Sequence, residues 1–181
     1  IERIKNLPNH LSNLRTLKID GMDYRGYLSF GYYEKELRQL VLRCFINEEV
    51  IRSISNITSL RYLDLGNGSQ SEIRDISPLG NLKNLRTLVI SGTLRELSPI
   101  ARLENLEELT IFSDVLSDIS VLGELKGLRK LEIYGAAYID LEALENLTNS
   151  MQRLRVQAGY IANIDSLTLL VNLKHLELRA D

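Results

Sequence analysis

The chain has 181 residues, 44% of them hydrophobic and 25% charged, with three prolines and no low-complexity run, which is the length and balance of one globular domain. Its formal charge of −2 comes from 22 basic and 24 acidic side chains, so no overall field gathers nucleic acid or anionic lipid, and polyanion binding would need a local patch. Cys44 is the single cysteine, which excludes an internal disulfide framework and a thiolate metal cluster, and no apolar stretch approaches the ~20 residues that cross a bilayer.

In chain order, Ile1, Ile4, Leu7, Leu11 and Leu14 read as the second half of a coil whose strand is missing, leading into a first strand at Leu17-Lys18-Ile19. The next stretch lacks evenly spaced leucines and carries Tyr24, Tyr27, Phe30, Tyr32 and Tyr33, which are expected to fill core positions in their place. Beyond it one short pattern dominates. Leu-x-x-Leu-x-(Leu/Ile/Val), with Met151 once in the first place, occurs eight times in all, its middle residue falling at 17, 40, 63, 88, 109, 131, 154 and 176. Self-similarity at that period marks a stacked repeat whose units are each too small to close their own core.

Each unit changes hydrophobic period partway. Around the register leucine the period is two, as in Thr87-Leu88-Val89-Ile90-Ser91, which is a short strand with one buried face. Between strands it becomes three, as in Ile73, Ile76, Leu79, Leu82 and Leu85, or Leu116, Ile119, Leu122, Leu125 and Leu128. That spacing fits 3₁₀ turns, which seldom persist, and Pro78, Pro99, Gly80 and Gly123 supply breaks. The expected architecture is an α/β right-handed solenoid, a horseshoe arc with about eight parallel strands on the concave face and 3₁₀ or short helical turns on the convex side. At ~4.8 Å between strands and ~3.3 Å per residue, its inner wall should measure roughly 34 by 17 Å.

These units resemble the leucine-rich-repeat family. Asp75-Ile76-Ser77-Pro78-Leu79, Leu97-Ser98-Pro99-Ile100 and Asp118-Ile119-Ser120-Val121-Leu122 resemble the crossovers of its 22-residue internalin and protein-phosphatase-regulator type. The resemblance covers essentially the whole chain and implies a fold rather than one function. It also implies an asparagine three residues after the last strand hydrophobe, where the side-chain amide ties adjacent coils. Those positions hold Met22, Phe45, Gly68, Thr93, Asp114, Ala136 and Gly159, so looser turns are expected along that edge. Residues 1–181 read as a single domain and, because neither flank shows the polar cap that solenoids need, as a segment of a longer protein.

Residues adjacent to the inward strand positions point outward and line the concave wall. Their charge is nearly even: Lys18, Arg43, Lys130, Arg153, Arg155 and Arg179 against Asp20, Asp64, Glu108, Glu132 and Glu177, unlike a nucleic-acid groove. Val41, Tyr62, Val89, Phe112 and Tyr134 place apolar groups where the repeat requires only polar ones. Tyrosine and arginine recur as interface hot spots, so the partner-binding candidates are Tyr62, Phe112, Tyr134, Arg153 and Arg155, with Arg43, Val89 and Thr110 beside them. A competing reading has Phe112 and Tyr134 packing only on each other, and Glu132, Arg155 and Glu177 neutralising one another.

His10 and His175 lie far apart along the array, and Cys44 continues an inward alternation, so neither a triad nor a metal site is suggested. Gly66-Asn67-Gly68-Ser69 lacks phosphate-loop spacing and reads as a turn. No catalytic residue, cofactor or metal is expected. The expected function is non-catalytic binding of a protein or peptide on the concave face, without nucleic acid, membrane or small-molecule substrate. Alternatives are the sensor or targeting part of a larger enzyme or immune-type receptor and, third, a structural or adhesive spacer. Sequons at Asn56, Asn67 and Asn146 matter only in a secretory route, while the lack of cysteine-rich caps favours a cytoplasmic or bacterial setting.

Overall fold

The structure, a computed structural model, describes residues 13–20, 30, 36–66 and 73–180. Among these, eight strands form one all-parallel sheet in sequence order: β1 (Thr16–Asp20), β2 (Gln39–Arg43), β3 (Tyr62–Leu65), β4 (Thr87–Ser91), β5 (Glu108–Phe112), β6 (Lys130–Asp140), β7 (Arg153–Ala162) and β8 (His175–Ala180). The eight register leucines, from Leu17 through Leu109 to Leu176, pair in single file across it. Sequential parallel neighbours joined by crossovers make a right-handed winding, the α/β solenoid that the repeat period predicts.

The crossovers Ser77–Asn81, Ser98–Arg102, Ser120–Glu124, Leu141–Leu147 and Ile164–Leu169 are 3₁₀ segments. Their period of three sends Ile73, Ile76, Leu79, Leu82 and Leu85, and their counterparts in the next two coils, into one continuous core. Carboxylates set where several of these turns begin: Asp75 Oδ1 accepts from Ser77 N and Asp118 Oδ1 from Ser120 N, both at 2.8 Å. The Ser77 hydroxyl and amide hold Asp75 below its ordinary value, and the Ser120 amide and hydroxyl do the same for Asp118. A carboxylate depressed on folding stabilises the fold above its unfolded pKa and loses that contribution as pH falls through the folded one. The urea midpoint is therefore expected to drop below about pH 4, the unfolded aspartate value. Asp118→Asn, which keeps the acceptor oxygen but cannot ionise, should show a shallower drop between neutral and acid pH; a drop identical to that of the unsubstituted protein refutes the assignment.

The crossover between β2 and β3 departs from this pattern and forms a true α-helix, α1 (Glu48–Ile54). Asn47 Oδ1 caps it by accepting from Val50 N at 3.1 Å, Glu48 and Glu49 occupy the first turn, and Val50, Ile51 and Ile54 face the core. Phe30 is buried in the core, as expected of an aromatic standing in for leucine. Ile1, Ile4, Leu7, Leu11, His10, Met22, Gly68 and the tyrosines 24, 27, 32 and 33 lie outside the described residues. On the face of the last described coil Ile164, Leu169, Val171 and Leu176 are exposed.

Along the edge that lacks the asparagines, backbone groups of the later coils find other partners in two ways. In the β5 coil Ser113 does the work of the missing amide, its hydroxyl accepting from Leu94 N at 3.2 Å and donating to Leu94 O at 3.3 Å. Across the next two coils the sheet simply continues. Gly135 at φ 88° shifts the register between Tyr134 and Ala136, and β6 and β7 then stay paired as far as Asp140 and Ala162, keeping Ala136, Ile139, Ala158 and Ile161 inward. An amide ladder exists, but at the opposite corner: Asn84, Asn105 and Asn172 each donate at 2.9 Å to a carbonyl of the preceding coil, of Thr58, Lys83 and Asn149 respectively.

Candidate partner-binding wall

Strand alternation carries the candidate residues onto one face, but lateral neighbours decide how much of each is presented. Phe112 and Tyr134 are partners in the β5–β6 register and stack with ring centroids 4.9 Å apart and planes 11° from parallel. Phe112 remains 37% exposed. Gly66 makes room beside it, since a Cβ there would stand 2.8 Å from Val89 Cγ1 and 3.8 Å from Phe112 Cε2. Gly66, half-buried Val89, Phe112 and Tyr134 thus form a shelf across four adjacent strands or their ends.

A polar chain runs along the same shelf. Arg155 Nη1 donates to Tyr134 Oη at 3.2 Å, and Tyr134 Oη donates in turn to Glu132 Oε2 at 3.4 Å. Lys130 pairs with Glu132 at 3.3 Å, Arg155 with Glu177 at 2.7 Å and Arg179 with Glu177 at 3.0 Å. The Tyr134 hydroxyl, then Glu177 and Glu132, push the Arg155 pKa up, so the guanidinium is held charged. Its Nε, however, is buried without a hydrogen-bond partner among the described residues. Both the aromatic stacking and the mutual neutralisation weighed in the sequence are therefore present, and they are coupled through the Tyr134 hydroxyl.

Thr110, expected to point outward, is nearly covered at 9% exposure and donates to Glu132 at 3.5 Å, because Val89 and Glu132 flank it on adjacent strands. Val41 is likewise covered at 6%. Tyr62 and Arg43 belong to a separate group. Arg43 bridges Asp64 at 3.2 Å and Asp20 at 3.9 Å, while the nearly buried Asp64 also accepts from Gly66 N at 2.9 Å. These residues, with Lys18, Gln39 and Val41, line a pocket of about 200 Å³. Burial, then Asp64, raises the Tyr62 pKa, which keeps its phenol protonated. Arg153 stands apart from the Arg155 chain, exposed at the start of β7. Outside the wall, on the extension of β6 and β7, Tyr138 and Tyr160 form a second stacked pair at 5.8 Å.

No protein-family model matches the sequence, and no curated protein sequence matches it. Solved structures do match. An internalin C2 from Listeria monocytogenes aligns over 97% of this chain and 77% of its own, at 20% identity and a TM-score of 0.74. The Arabidopsis receptor kinase HAESA, solved in complex with the peptide hormone IDA and a co-receptor, aligns over 95% of this chain and 31% of its own, at 25% identity and a TM-score of 0.68. The ectodomain of the Arabidopsis thaliana receptor kinase GASSHO1/SCHENGEN3, in complex with Casparian strip integrity factor 2, aligns over 91% and 24%, at 20% identity and a TM-score of 0.64. This chain thus spans a third or less of the length of those two receptor chains.

Proposed function

We infer that this chain, a leucine-rich-repeat solenoid, is a non-catalytic protein-interaction module that holds a protein or peptide partner on its concave wall. The observation that carries this reading is the Phe112–Tyr134 ring pair, with Phe112 exposed and Tyr134 half-buried at the middle of a wall whose repeat asks only for polar groups. The rings are already ordered by each other and by Arg155, so little side-chain entropy remains to be lost when a partner covers them. The peptide hormone bound to the similar receptor kinase supports a peptide or protein as the occupant.

Pull-down with the unsubstituted protein against a Tyr62→Ala, Phe112→Ala, Tyr134→Ala variant tests it. Hot-spot aromatics cost about 2 kcal/mol or more each when truncated, so the variant should recover at least ~tenfold less partner while keeping its circular dichroism spectrum. Unchanged recovery by a folded variant removes the wall as the binding surface. A second reading, the targeting portion of a larger enzyme or receptor, is favoured by the small share of the receptor chains that this chain spans. On that reading residues 1–181 are one domain within a longer protein.

A further inference from the structure

Two residues before the register leucine, six of the eight coils carry a cation: Arg15, Arg38, Arg61, Arg86, Arg129 and Lys174. Glu107 and Gln152 occupy the other two places. The backbone lines these positions up, because each amide from Arg38 to Lys174 donates at 2.8 Å to the carbonyl of its counterpart one coil earlier. The side chains therefore spring from one file along the rim of the concave wall, ~4.8 Å apart and roughly 34 Å long.

Few of these cations are needed to hold the fold. Arg38 fastens two coils by donating to Ser59 O at 3.2 Å. Arg86 and Arg129 share Glu107, at 2.8 and 3.8 Å, and both remain mostly exposed. Arg61 and Lys174 have no side-chain partner among the described residues. Toward the β8 end the file opens on a recess of about 470 Å³ where Arg129, Lys130, Arg153 and Lys174 gather beside Glu107 and Glu108. Beyond the Arg38 bond and the pairs to Glu107, the backbone ladder forms whatever the side chains are, so the remaining like charges add mainly repulsion.

We propose that this rim seats an acidic segment of the protein partner, its carboxylates on the file of cations while the rest of the partner lies on the wall. The proposal rests on the concave-wall reading and names the chemistry of the partner. Guanidinium groups take carboxylates in paired hydrogen bonds. A nucleic acid is disfavoured because Glu107 and Gln152 interrupt the file, which suits spaced carboxylates rather than a phosphate at every step of a backbone.

The test uses the 181-residue chain and a fluorescein-labelled oligoglutamate peptide, read by fluorescence anisotropy at low and at near-physiological salt. Binding should weaken as salt rises, and the Arg61→Gln, Arg86→Gln, Arg129→Gln variant should bind about tenfold more weakly. Glu107→Gln, which releases Arg86 and Arg129, should bind about threefold more tightly, a gain that misfolding cannot mimic. The aromatic triple variant described above should bind oligoglutamate unchanged, so failure of the rim and failure of the wall are distinguishable. Oligoglutamate binding indifferent to both the glutamine substitutions and Glu107→Gln overturns the proposal. Tighter binding of single-stranded oligothymidylate, or of phosphatidylserine vesicles, than of oligoglutamate overturns it in favour of a phosphate-bearing ligand.

Discussion

Leu109→Ala will cost the protein about 3 kcal/mol, read as a fall in the urea midpoint, and Leu176→Ala, the same substitution in the same file, less than about 1 kcal/mol. Leu109 is 0% exposed, with Leu88 on one side and Leu131 on the other, so the cavity left behind is shared by three coils that cannot close over it. Leu176 is 47% exposed on the last described coil and leaves mostly solvent behind. Because each coil contacts only its neighbours, the damage at Leu109 also weakens the coupling between the two halves of the array. The transition should therefore broaden as well as shift. Equal costs at the two positions would mean that the leucines do not share one stacked core.

Gly92→Ala and Gly123→Ala should each cost about 2 kcal/mol, whereas Gly127→Ala should be close to neutral. A Cβ on Gly92 would stand 2.5 Å from Ile73 O, and one on Gly123 2.5 Å from Ala143 O. Both obstacles are backbone carbonyls of an adjacent coil, which no rotamer change can clear, and Ile73 O is already engaged by Thr93 N at 2.9 Å. To fit the methyl group, neighbouring coils must separate. At Gly127 the nearest atom lies 3.6 Å away, an ordinary contact. Thermal melts of the three variants decide the matter, and three equal melting temperatures would show that coil spacing is not set by these close approaches.

What was legible in the sequence followed from burial. Leucines that must meet across a sheet have to recur at the coil length, so strand register, crossover type and the facing pair Phe112–Tyr134 could be read directly. Features that depend on hydrogen bonds or on lateral neighbours left no apolar period. Ser113 standing in for an amide, and the ladder of Asn84, Asn105 and Asn172, look like ordinary polar residues until the carbonyls they reach are placed. Coverage of Thr110 depends on Val89 and Glu132, each about one coil away in sequence, so alternation alone overstates its exposure. The cationic file leaves no mark on the composition, because total charge averages it against the carboxylates of the wall.

The lengthening of β6 and β7 gives the array uneven mechanics. These strands run for 11 and 10 residues, while β3 has four and β4 and β5 five each, so the sheet there is a broad splint attached to a narrow ribbon. Load applied to the inner wall will bend the ribbon first. On the proposed concave-wall reading, a partner closing on this surface draws Tyr62 and Val89 toward the stiffer block bearing Tyr134 and Arg155, with the travel set by the slender strands between them.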